Sequence, residues 1–142
     1  MRIASALAGI LSVATVALPA SVQAQTVWLY LMLIDSHELA EHCGDTLDRA
    51  AQARYAVAVA RLAAFNVESN PRMKGRIDPQ KWAADYQKKL HDRYAAMDKT
   101  ICTGADYPHW KLLQQQMTSL EGVSKIEDAI KKQTGPDDGI CL

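Results

Sequence analysis

Between residues 45 and 120 the apolar side chains recur at helical spacing, and no stretch alternates apolar and polar residues as a half-buried strand would. Leu47, Ala51, Tyr55, Ala58, Leu62 and Phe65 follow one another at steps of 4, 4, 3, 4 and 3. Trp82, Tyr86, Leu90, Tyr94, Met97 and Ile101 do the same at steps of 4, 4, 4, 3 and 4. A step of three or four returns to the same face of a helix with 3.6 residues per turn, so each series predicts one buried stripe. Asp48, Arg49, Gln52, Arg54 and Arg61 fall off the first stripe. Asp85, Asp92 and Asp98, interleaved with Lys88, Lys89, Arg93 and Lys99, describe a solvated face of the second helix rather than a pair of catalytic carboxylates.

The punctuation between the stripes sets the expected element order. Thr26 to Ile34 is a dense apolar run whose periodicity does not separate a buried helix from a strand. Helix is preferred, because a lone strand would have no partner. Asp35-Ser36-His37-Glu38 has capping-box spacing, with Ile34 and Leu39 as its hydrophobic staple. A helix is therefore expected to restart near Asp35, run to Cys43 and break at Gly44. The second helix is predicted from Asp45 or Thr46, and residues 66–77 (NVESNPRMKGRI) read as a turn-rich loop. Asp78-Pro79 caps the third helix, which is expected to end near Cys102 with Gly104 as the stop. The fourth starts at Asp106 or Tyr107 and carries Trp110, Leu113, Met117 and Leu120. Gly122 is expected to interrupt it, and Ser124-Lys-Ile-Glu127 to cap a short fifth helix running to about Gln133. Together these readings predict an all-α, antiparallel bundle of four to five helices.

Residues 1–24 have the three parts of a cleaved export signal. Met1-Arg2 is positive, Ile3 to Leu18 is apolar, and Val22-Gln23-Ala24 places small residues where a signal peptidase reads them. The apolar run is 16 residues before Pro19, short of the roughly 20 that a spanning helix needs. Cleavage between Ala24 and Gln25 would leave residues 25–142 as a single helical-bundle domain, periplasmic or secreted, with no transmembrane segment. In an oxidising compartment the three cysteines allow one bridge and one remaining thiol. Cys43 precedes the second helix and Cys102 ends the third, which puts both at one end of an up-and-down bundle. Cys43–Cys102 is the preferred pair. Pairing of Cys141 with either of them stays open, because a break at Gly122 would let the last helix fold back to that end.

Composition removes some functions and motif spacing removes others. The 16 Lys+Arg and 16 Asp+Glu cancel, whereas a nucleic-acid binder wants a basic domain. There is no Gly-rich phosphate loop, no G-x-S-x-G elbow and no CxxC or CxxCH. His37, Glu38, Glu41 and His42 resemble a zinc-protease helix only in composition. That site needs His at i and i+4, and Glu41 occupies the second place. His37, Glu41 and His42 remain metal candidates only if another helix adds a ligand, such as His91 or His109. The methionines (Met32, Met73, Met97 and Met117) form no series with histidine that would mark haem or copper, and Met97 and Met117 lie on apolar stripes as filler. No cofactor is expected.

One segment looks suited to a partner. Arg72, Met73, Lys74 and Arg76 set three cations around an apolar side chain on a helix connection. The expected function is a small exported non-catalytic binding protein that acts through a protein surface, as an inhibitor, immunity or envelope accessory protein. The alternative is a periplasmic metal or cofactor carrier using the His/Glu cluster on the first helix. A homodimer, through the apolar segment near Trp28 or through the odd cysteine, is compatible with either.

Overall fold

A computed structural model describes residues 24–133, and within them every regular element is a helix, with no strand. Its helices are α1 (Ala24–His42), α2 (Arg49–Ser69), α3 (Pro79–Ala95), α4 (Tyr107–Met117) and α5 (Leu120–Lys132), with a 3-10 turn at Lys99–Thr103 between α3 and α4. The expected export signal and the expected placement of Cys141 lie outside the described residues.

The first helix explains the architecture. Its side chains are apolar nearly all round, and a helix of that kind is stable only when surrounded. Accordingly α1 packs against all four other helices. Tyr30, Leu33 and Ile34 are fully buried, and Leu33 and Ile34 each contribute about 2 kcal/mol by burial. Tyr30 stacks on Trp82 of α3, with ring centroids 4.5 Å apart and planes 7° from parallel. The run 26–34 is thus helix, as preferred, and it does not restart at Asp35. Nothing between Ile34 and Asp35 breaks a helix, so backbone bonding simply continues. The capping-box residues take other work: Ser36 donates its hydroxyl back to the Leu33 carbonyl at 3.2 Å, and Asp35 accepts from the Tyr94 hydroxyl of α3.

Chain direction follows from side-chain pairs. Thr26 meets Asn66 and His37 meets Tyr55, so α2 runs antiparallel to α1. Tyr30 meets Trp82 and Glu38 meets His91, so α3 runs parallel to α1 and reverses direction again after α2. Asp45 meets Lys111 and Thr26 meets Gln133, so α4 and α5 together run back along α1. The last two act as one broken helix. With α4 and α5 taken as one, the helices therefore alternate in direction, as the sequence implied.

Helix boundaries moved where a better cap was available. Gly44, at φ +81°, ends α1 with Asp45 N–H donating to the Ala40 carbonyl at 2.9 Å, the αL stop that glycine adopts most easily. The second helix begins after Asp48, not at Asp45 or Thr46, because the Asp48 carboxylate accepts from Ala51 N–H at 2.7 Å. It runs to Ser69 rather than stopping at Asn66, whose side chain is buried and receives a tertiary partner. Asp78 caps α3 as predicted, accepting from Lys81 N–H at 2.7 Å. That helix ends at Ala95, earlier than expected, since Asp98 opens a separate 3-10 turn by accepting from Thr100 N–H at 2.7 Å. Ile101 and Cys102 lie in this turn.

The break in the last helix is at Thr118–Ser119, not at Gly122, and the Ser124 box is unused. Ser119 caps α5 by accepting from Gly122 N–H at 3.0 Å. Leu120, counted on the α4 stripe, becomes the first residue of α5 and is 75% exposed. Gly122 has a different role from the one expected. A Cβ there would stand 2.0 Å from the Gln116 carbonyl oxygen, so the chain can turn this tightly from the last residues of α4 into α5 only because this position has no side chain. Cys43 and Cys102, the preferred pair, stand at disulfide distance with sulfurs 2.03 Å and Cα atoms 5.4 Å apart.

Candidate functional site

The His/Glu cluster of α1 is dispersed by helical geometry. His37 turns into the bundle, 5% exposed, its ring centroid 3.8 Å from that of Tyr55 and its Nδ1 3.3 Å from Gln114 Nε2. Burial lowers its pKa to about 4, so the imidazole is neutral near pH 7. Glu38 faces α3 and pairs with His91 at 3.3 Å. Burial raises its carboxyl above the usual carboxylate range, and the His91 contact opposes this only in part. His42 leads to the disulfide end, where Lys99 donates to its carbonyl and its ring packs 6.4 Å from Tyr94. Glu41 is half-buried near Glu38. His109 lies exposed on α4. Among the described residues no three His, Cys, Asp or Glu side chains are grouped to hold a metal ion.

Met32 and Met97 are half-buried and Met117 is buried in the core. Trp82 and Trp110 pack against the core, whereas Trp28 is 48% exposed. No described helix is long and apolar enough to cross a membrane.

The basic loop keeps its predicted place at the connection between α2 and α3. Arg72, Lys74 and Arg76 are exposed, and Met73 is half-buried. Its backbone is internally bonded. Asn70 accepts from the N–H groups of Met73 and Lys74, each at 2.9 Å, and Met73 accepts from those of Arg76 and Ile77, at 2.9 and 3.0 Å. The Asn70 side chain also accepts from Arg72 N–H at 2.9 Å. Ile77 is 38% exposed beside it.

A second feature was not anticipated. A polar cleft of about 480 Å3 opens between the start of α2 and α4, with Asp45, Asp48, Arg54 and Lys111 among its walls and Gln114 in its floor. Asp45 accepts from Lys111 at 2.7 Å and from the Tyr107 hydroxyl, and these bonds hold its carboxyl below the usual range. Arg54 donates to the Thr118 carbonyl at 2.6 Å. One signal for the cleft was present in the sequence. Gln114 lies four residues after Trp110 and three before Met117, an inward position filled by a carboxamide.

Comparison with protein-family models, with curated proteins and with solved structures finds no match to this chain.

Proposed function

We propose that this chain is an exported, non-catalytic binding protein whose recognition surface is the basic loop carrying Arg72, Met73, Lys74 and Arg76. The observation that carries the reading is the loop's combination of exposed cations with an internally hydrogen-bonded backbone. A preordered loop loses little conformational entropy on docking, so more of its interaction energy appears as affinity. Cations flanking the half-buried Met73 and the exposed Ile77 suit an acidic protein patch with an apolar centre. The separation of His37 from His42 favours this reading over a metal carrier, because one side chain serves the core and the other the disulfide end.

The test is capture with the tagged, exported chain from its own envelope, in parallel with a variant carrying Arg72→Glu, Lys74→Glu and Arg76→Glu. A control carries Lys88→Glu and Lys89→Glu on the solvated face of α3. One protein retained by the parent and the control but lost by the loop variant is the expected result. Equal retention by all three would refute the assignment of the loop. The same preparation reports on export, since its mass is expected to begin at Gln25.

A further inference from the structure

We infer that the cleft between α2 and α4 is a binding site for a small zwitterion of amino-acid or dipeptide size. Its volume, about 480 Å3, lies in the range of small-ligand sites, roughly 300–1,000 Å3.

Asp45 and Asp48 oppose Arg54 and Lys111 in sign, so the charged side chains of the lining balance. A ligand with a single charge therefore gains little net attraction, whereas one carrying both signs can meet both. An isolated anion such as phosphate is further disfavoured at the start of α2, where the Asp48 carboxylate already occupies the helix N-terminus. The lining includes no aromatic ring, so a sugar or nucleobase would find nothing to stack on. Leu47 and Ala51 are its only plainly apolar members, too few for a lipid tail.

The rim is easily opened to such a ligand. Asp45 and Lys111 are paired at 2.7 Å with side chains 31% and 41% exposed. Ion pairs of this exposure are worth only about 0–1 kcal/mol, so a ligand ammonium can take Asp45 and a ligand carboxylate can take Lys111 at small cost. Below them Gln114 is 1% exposed and rests against the buried His37 ring, 3.3 Å away. Its carboxamide is engaged with His37, so the exposed charged walls, not the floor, are what a ligand meets.

The loop of the preceding section lies at the far end of α2, so the two sites are tested separately. The experiment is a heteronuclear NMR titration of the full exported chain, bridge intact, with L-alanyl-L-alanine. Two blocked probes accompany it: the N-acetyl form, which lacks the ammonium, and the C-terminal amide, which lacks the carboxylate. Saturable shifts confined to the backbone amides of residues 45–54 and 111–119 are expected, with each blocked probe at least about tenfold weaker. Lys111→Gln is expected to weaken dialanine binding by about tenfold, and Lys88→Gln to leave it unchanged. Because Lys111 also braces Asp45, Gln115→Ala on the exposed wall provides a second variant, expected to weaken binding without disturbing the spectrum elsewhere. Absence of a saturable shift up to about 10 mM dialanine, equal affinity for the blocked probes, or shifts centred elsewhere would each overturn the inference.

Discussion

At the scale of single residues the fold carries a buried titratable group whose consequence can be measured. His37 is neutral in the folded protein because burial lowers its pKa from 6.5 to about 4. In the unfolded chain it protonates near 6.5. Above that pH neither state binds the proton and His37 contributes nothing to the pH dependence. As pH falls from about 6.5 to 4 the unfolded state gains a proton that the folded state does not, so stability falls, and below about 4 the slope vanishes. The loss attributable to His37 is up to about 3 kcal/mol. Urea unfolding across this range is expected to show a flatter profile for His37→Gln than for the parent, whatever their difference at pH 7. Parallel profiles would mean that His37 is charged in the fold or solvated. In the sequence His37 stands as a metal candidate beside Glu41 and His42. Nothing in the linear pattern distinguishes an inward histidine from an outward one in the mixed run of residues 35–42.

Among the elements, boundaries depended on which cap won. Two serines precede the fifth helix or lie within it, and the local pattern favoured Ser124, with Glu127 in the third position. The chain uses Ser119 instead, with Gly122 N–H as donor. Glu127 is free of any capping duty and takes Arg61 of α2 in a two-pronged pair, at 2.8 and 3.0 Å. Starting at Ser119 adds a turn of backbone hydrogen bonds and brings Ile126 and Ile130 into the core. It also brings the first turn of α5 against the Gln116 and Met117 backbone at Gly122, a steric fit that periodicity and capping patterns do not encode. Ser119→Ala is expected to cost about 1 kcal/mol in thermal or chemical unfolding, and Ser124→Ala, on an exposed helical position, close to nothing. The reverse order would restore the later start. Similar competition moved the start of α2 to Asp48 and ended α3 before the 3-10 turn.

For the molecule as a whole, the cross-link joins α1's end to the turn before α4. A bridge between Cys43 and Cys102 spans 59 residues. Restricting an unfolded loop of that length is worth roughly 4 kcal/mol by chain entropy. Reduction and alkylation are expected to lower the melting temperature markedly, with the helical signal retained at low temperature if the core alone suffices. An unchanged melting temperature would show that the pair is not bridged in the native protein. The alternation of helix directions and the positions of two cysteines beside their turns were enough to prefer this pair from sequence, though they left pairings with Cys141 open.

The sequence by itself determined the helical class, the stripes of α2 and α3, the cap at Asp78 and the end of the bundle that holds Cys43 and Cys102. These follow from local periodicity and from turn chemistry, which act within a few residues. Tertiary structure alone decided that α1 is the central helix, that Asn66 and His37 turn inward to partners on other helices, and that a polar cleft opens above the inward Gln114. Each of those outcomes depends on groups 40 or more residues apart along the chain. The free energy of burying a polar side chain is set by the partner it meets, and that partner exists only once the helices have packed.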